Sequence, residues 1–569
     1  MLPSSPPPPA AQREAAAVEL LRRASVASSE PRERIRSALA AVQVANLPVA
    51  LRCRAHLTAA ELLNEWAEEP SQTVTHMRNA VGLCERSSGI TPRLRLAVLC
   101  RATAIGQDLV RSGQLKDARQ LLETLQGALQ PEGAAEADDE ATAPPPPTDP
   151  PTAWLLAHVG VLHVCLLVRE GYLKPAERML PSVRKKVDAL PKQSALTPPK
   201  GDELLTAAAA SSFPTRTALM RVLEFQHALL LAQQGELKEA ATALDAIIRR
   251  TAEAASSKGD DAETAAEAAL HHEAKLLRAS VHIASYEFDD AVALAKQLRQ
   301  PLCAKQAAKD PKTGRKRPRH LADRRAHGTP SLLLLLAHAA LGIEQHQTAA
   351  ELVARASAAL DADPHPAQSA LSVWCKMLRI LLEPSAPTTR QEAVRRLAAS
   401  EEARSHRLLR GTLFLVHGEA SLALGQMEEA ERRLARCIKL SVGESRCDAL
   451  AAASLAAIAA ALGSRPGGDG GEDSGSQGGS AGSSSQGGGQ RGRTEDSLSS
   501  ALMISSKMED LHIQLRALKG WAKHYESIGD TTQAKAFNEL LSDFEGKLSK
   551  RLKKAKCSSD DLRKLAQPI

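Results

Sequence analysis
The feature that most restricts how this 569-residue chain can fold is a short phrase that recurs five times, in which a glycine closes one helical stretch and an alanine follows five residues later. It reads RSGQLKDARQLL (Gly113, Ala118), REGYLKPAERML (Gly171, Ala176), QQGELKEAATAL (Gly235, Ala240), ALGQMEEAERRL (Gly425, Ala430) and SIGDTTQAKAFN (Gly529, Ala534). A relative, ASYEFDDAVALA, puts Tyr286 in the glycine position and keeps Ala291. Glycine tolerates the positive φ that ends a helix, and alanine lets the second helix approach its predecessor closely. Helical periodicity runs on both sides of the turn: Leu409, Leu413, Val416 and Ala420 precede Gly425, and Met427, Ala430, Leu434 and Cys437 follow it.

The phrase predicts an all-α chain, a tetratricopeptide-like right-handed superhelical solenoid of antiparallel helix pairs with disordered insertions. Composition agrees, since 43% of residues are hydrophobic but only 2% aromatic, which leaves a core of small and straight-chain residues that favour helices. The phrases are spaced more widely than an ideal 34-residue repeat: Gly113 to Gly171 is 58 residues, Gly171 to Gly235 is 64 and Gly425 to Gly529 is 104. Longer helices, degenerate repeats and insertions fill the gaps. Residues 1–29 read as a disordered Pro/Ala-rich tail, and 30–462 as the repeat body with loops near 130–152, 191–216, 251–264 and 301–330. Residues 463–494 read as a disordered Gly/Ser-rich loop, 495–556 as a C-terminal repeat pair and 557–569 as a tail.

The net charge of +7 is concentrated. Between Lys305 and Arg325 nine Lys/Arg face only Asp310 and Asp323, and between Lys547 and Lys564 eight face Asp560 and Asp561. A uniformly nucleic-acid-coated surface is excluded on that distribution. The stretch with Lys312, Arg315, Lys316, Arg317 and Arg319 suits an exposed loop that serves as a nuclear-import signal, as a phosphate contact or simply as a solvated insertion. The nine cysteines are scattered without a C-x-x-C pair and read as reduced core residues of an intracellular protein. The apolar runs 332–343 and 449–462 fall short of a membrane span, so neither secretion nor membrane crossing is expected.

Catalytic chemistry is not legible. The glycines after Gly463 follow no strand and cannot form a phosphate loop. His158, His163 and Cys165 share one predicted helix, but His163 points away from His158 and Cys165, on the face of His158, lies about 10 Å along the axis, which favours core packing over metal ligation. His271-His272-Glu273 lacks zinc-protease spacing and reads as a solvated face. The expectation is a non-enzymatic chain with no cofactor, no metal, no membrane and no small-molecule substrate.

Three stretches carry a family resemblance. Ala501–Leu548, above all Ser505–Leu518 (SSKMEDLHIQLRAL), resembles the last repeat pair of the helical-repeat subunit of the cohesin loader, the sister chromatid cohesion loading factor family. Leu409–Ser441 is similar to the unit before it, and Leu47–Leu63 with Asn79-Ala80 to the family's first helices. Together they cover about a third of the chain. The middle departs through Pro/Gly/Lys-rich insertions, and Arg516 stands where the family pattern has tryptophan. The resemblance implies a scaffold that wraps the N-terminal segment of the large HEAT-repeat loader subunit, acts indirectly on cohesin and chromatin in sister chromatid cohesion, and works in the nucleus. A tetratricopeptide scaffold of another large complex, such as an anaphase-promoting-type ubiquitin ligase, is the alternative. A carboxylate-clamp chaperone adaptor would need a Lys/Asn cluster that the sequence does not show.

Overall fold
In the computed structural model the chain is described over residues 9–26, 30–67, 69–130, 150–191, 214–256, 261–307, 328–362, 369–400, 403–404, 406–441, 450–452, 454–455 and 486–566. Among these residues there are twenty-two α-helices, one π-turn and no strand. The all-α expectation holds, and the helices pair as antiparallel hairpins of a tetratricopeptide-like helical-repeat fold.

Contacts divide the chain into two compact units. The first takes Met1–Arg169, Pro175–Gln226 and Asp260–Ala265. It holds α1 (Ala10–Ser25), α2 (Pro31–Gln43), α3 (Val49–Leu62), α4 (Pro70–Arg86), α5 (Pro92–Arg111), α6 (Leu115–Leu129) and most of α7 (Pro150–Glu170) and α8 (Leu173–Asp188). α3 packs on α4 and α5 on α6. The α6 leucines Leu121, Leu122 and Leu125 are fully buried, and Arg101 of α5 pairs with Glu61 of α3 at 2.7 Å. α7 is, by length and composition, the one helix among the described residues able to cross a membrane, a stretch that the sequence reading passed over. Two thirds of its apolar window is buried in the protein, with Trp154, Leu155, Ala157 and Val164 in the core, which is the behaviour of a central helix of a folded unit.

The second unit takes Glu170–Lys174, His227–Gly259 and Ala266–Ile569. It contains the end of α9 (Arg216–Gln233), α10 (Leu237–Ser256) and most of α11 (Asp261–Ala284). α12 (Phe288–Ala307), α13 (Gly328–Gly342), α14 (His346–Ala362), α15 (Ser369–Leu382) and α16 (Pro387–Ala399) follow. α17 (Arg407–Ala423), α18 (Met427–Ser441), α19 (Gln486–Lys507), α20 (Leu511–Ser527), α21 (Thr531–Lys554) and α22 (Ser559–Ala566) complete it. Its main core runs from Phe288 through the leucines 332–336 of α13 to Leu352 and Leu360 of α14. Helix also occupies parts of segments read from sequence as loops or tails: 10–25 within the N-terminal segment expected to be disordered, where α1 packs on α2, and 150–152, 216, 251–256, 261–264, 301–307, 328–330, 486–494 and 559–566.

The hairpin turns follow one backbone pattern. Gly113, Gly171, Gly235, Gly425 and Gly529 all have φ between 72° and 83°. At Gly425 the N–H of Gln426 reaches back to the carbonyl of Ser421 (3.0 Å), and the N–H of Gly425 to that of Leu422 (3.0 Å). This is a Schellman closure that satisfies the last carbonyls of the first helix. The N–H of Ala430 then bonds the carbonyl of Gln426 (3.0 Å), which starts the second helix. The phrase alanines Ala118, Ala176, Ala240 and Ala430 are 0% exposed, and Ala534 is 5% exposed. A second small position lies seven residues before four of these turns, at Gly106, Ala228, Gly418 and Ala522, and before Tyr286 and Glu344, at Ala279 and Ala337, all buried; before Gly171 the position is Val164. A Cβ on Gly418 would come within 2.7 Å of Leu434 Cγ, so the α17–α18 approach requires glycine there.

Candidate partner-binding surface
The same turn geometry appears at three positions without glycine: Tyr286 (φ 63°), Glu344 (φ 61°) and Glu509 (φ 52°). Each repeats the closure, with N–H to carbonyl bonds Glu287 to His282 (2.8 Å), Gln345 to Ala340 (2.8 Å) and Asp510 to Ser505 (3.0 Å). Five residues on stand Ala291, Ala349 and Gln514, all buried. Turns at Glu344 and Glu509 escaped the sequence reading for want of a glycine. The signal that finds the first is the pair of small residues twelve apart, Ala337 and Ala349.

The most distinctive phrase of the family resemblance, Ser505–Leu518, forms the turn between α19 and α20. Asp510 caps α20, its carboxylate accepting from Ile513 N–H (3.2 Å), and the Gln514 side chain donates to the Ser505 carbonyl (2.9 Å) in the buried interior. Tyr286 reaches this turn from α11–α12. Its hydroxyl donates to Asp510 (3.3 Å) and accepts from the N–H of His512 (3.3 Å). Met508 covers Gly235, where an added Cβ would sit 2.3 Å from Met508 Cγ. Lys238 pairs with Glu509 (2.7 Å), which holds the lysine above its usual range, and Lys507 pairs with Glu236 (3.5 Å). Turns far apart in sequence are thus gathered on one edge of this unit.

Beside that edge is a cleft of about 730 Å³, lined among others by Glu344, His512, Arg516, Lys519, Glu545 and Lys553. Its cations are partly tied. Arg516 donates to Glu419 (2.6 Å) and Ser454 (2.7 Å), and Lys519 lies 3.4 Å from Glu545. The mixed charge and open form suit a polypeptide segment better than a small enclosed ligand. Next to it Trp521, Tyr525 and Phe537 stack nearly parallel with centroids 5.3–5.5 Å apart, which anchors α20 to α21.

The other sequence candidates fall elsewhere. Lys312, Arg315, Lys316, Arg317 and Arg319 lie outside the described residues. His158 is buried, and desolvation followed by the charge of Arg111 lowers its pKa to about 3. His163 is lowered to about 4 by burial and Arg119, against the opposing effect of a hydrogen bond to the backbone of Leu122. The two rings of α7 therefore meet different neighbours. His271 bonds the Thr251 hydroxyl (2.8 Å). His282, Glu287 and Asp290 bring three potential ligand atoms within 4.8 Å at the α11–α12 turn, but His282 is already bonded to Glu287 (2.6 Å) and the two carboxylates are exposed. The cysteines Cys53, Cys84, Cys100, Cys165, Cys375 and Cys437 are buried and unbridged.

No family model matches the chain, and neither does any curated protein. Among solved structures it is similar to a Rap protein complexed with competence and sporulation factor. There the identity is 12% and the TM-score 0.43, over 80% of this chain and 99% of that one. The quorum sensor NprR of B. thuringiensis in its apo form gives 9% and 0.31, over 78% and 97%. The P58(IPK) TPR domain gives 11% and 0.22, over 80% and 98%. What defines this chain as a tetratricopeptide-like helical-repeat scaffold is its own hairpin geometry.

Proposed function
We propose that the chain is the non-catalytic helical-repeat subunit of the cohesin-loading complex, binding the N-terminal segment of the large HEAT-repeat subunit and acting on chromatin in the nucleus. The observation that carries this reading is the Ser505–Leu518 phrase. Its residues are the ones that build the α19–α20 turn and meet Tyr286, Gly235 and Lys238. A stretch that resembles the family most closely is thereby one whose side chains have demanding structural duties, Asp510 and Gln514 above all. Stacked helical repeats offer a long surface on which an unfolded segment gains enough contact to offset its ordering entropy.

The test is affinity purification of the tagged chain from nuclear extract, with mass spectrometry of what remains at moderate salt. Recovery of a HEAT-repeat protein near one-to-one through its N-terminal segment supports the reading. Dominance of ubiquitin-ligase subunits or chaperones overturns it and leaves the fold untouched.

A further inference from the structure
α22 has eight residues, SDDLRKLA, too few to hold helical form in water unaided. Docking gives it that form. Leu562, Leu565 and Ala566 are buried at 0%, 8% and 4% exposure within the core of α12, α13 and α14. Its flanks are held by side chains of the receiving helices. Asp289 of α12 accepts from the backbone N–H groups of Lys556 (3.0 Å) and Cys557 (2.9 Å), and Arg299 of α12 donates to the Lys564 carbonyl (2.6 Å). Arg563 makes two bonds to Glu351 of α14 (2.8 and 3.0 Å), and Ser559 donates to Gln345. Ser558 and Asp561 cap the helix reciprocally: the Ser558 N–H meets the Asp561 carboxylate (3.0 Å) and the Asp561 N–H meets the Ser558 hydroxyl (3.2 Å). The link from α21, residues 555–558, is non-helical and makes no positive-φ turn of the kind that closes the hairpins. Backbone clamps at both ends, one selected cation and apolar side chains between them are the elements of peptide recognition.

We propose that the face of α12, α13 and α14 is a peptide-docking groove, filled in cis by α22 and open in trans to a short amphipathic helix of a protein partner. The partner helix carries α22's chemistry: an acidic, side-chain-capped first turn, leucines three residues apart and a cation placed for Glu351. This assignment is independent of the loader reading. Tethering through a short link keeps α22 at an effective concentration of about millimolar, so a partner must bind better or α22 must first be displaced.

The test uses the full chain and a fluorescent peptide spanning residues 555–566, read by anisotropy. Leu562→Asp/Leu565→Asp frees the groove. It is expected to bind the peptide at least about 100-fold more tightly than the unmodified chain, because the tethered competitor is gone. A peptide with Arg563→Glu should bind several-fold more weakly, the two-bond pair with Glu351 being replaced by like charges, and recover on a chain that also carries Glu351→Arg. Equal binding by both chains, or binding by neither, overturns the proposal, as does self-association of the double variant that excludes the peptide. Hydrogen exchange on the unmodified chain keeps the test alive if the double variant misfolds. Residues 555–566 should exchange well before α13, and exchange in step with α13 would make α22 an integral helix and sink the idea.

Discussion

Three kinds of repeat turn share one backbone in the second unit and differ in what surrounds them. At Gly425 and Gly529 an added Cβ would meet nothing within 4 Å, so glycine is there for its φ alone. At Tyr286, Glu344 and Glu509 the chain accepts a side chain at the same φ, a strain of about 1–2 kcal/mol per residue. Each of these side chains reaches something: Tyr286 bonds the α19–α20 turn, Glu509 pairs with Lys238, and Glu344 lines the cleft. Gly235 is a third case, in which Met508 fills the space that a side chain would need. Glycine is replaced at Tyr286 and Glu509 by side chains that make long-range contacts, and at Glu344 by one that stands exposed at the cleft. Glycine is mandatory where another residue packs onto the turn.

The largest effect expected from this contrast is at the covered turn. Gly235→Val combines a β-branched residue at positive φ with a clash against Met508, and should cost about 3 kcal/mol when strain and overpacking are added. Gly425→Val meets only the φ term and should cost about 1–2 kcal/mol. Equal losses in urea unfolding would break the distinction between covered and open turns. Tyr286→Phe removes both hydroxyl bonds to the α19–α20 turn and should cost about 1 kcal/mol, with faster hydrogen exchange at His512 as its local signature. Glu344→Gly relieves strain at an exposed turn residue and should stabilise the chain by about 1 kcal/mol, with a higher unfolding midpoint as the check. Smallest of all, Lys238→Ala should leave the unfolding midpoint unmoved at physiological salt, because its partner Glu509 is itself half-exposed and screened.

Much of the fold was legible because it is written in local rules. A glycine at positive φ with an alanine at the start of the next helix is a short-range signal, and the five phrases containing both mark five of the hairpin turns. The turns at Glu344 and Glu509 were not legible through glycine, since the backbone there takes a positive φ with a side chain in place, exposed at Glu344 and paired with Lys238 at Glu509. Gln514, at the alanine position, is buried because its amide finds the Ser505 carbonyl. The small position seven residues before six of the turns was visible in the sequence, but its meaning depends on the facing helix, and Val164 and Leu502 hold it before Gly171 and Glu509. α7 was passed over as an apolar run because Pro151, Thr152, His158 and His163 interrupt it. α22 was assigned to a tail because eight residues carry too little periodicity to stand out. Of the candidate surface, the sequence supplied the Ser505–Leu518 phrase but not its neighbours.

By itself the sequence determined the helical class, the hairpin unit and the places where helices must turn, because propensity, capping and positive φ act over a few residues. Tertiary structure decided which turns meet. Gly235, Tyr286 and Glu509 are separated by up to 274 positions, yet Met508, Tyr286 and Lys238 join them on one edge. It also decided that a short C-terminal stretch becomes a helix, since only the receiving face of α12–α14 supplies the apolar contact and the clamps that offset the cost of ordering it.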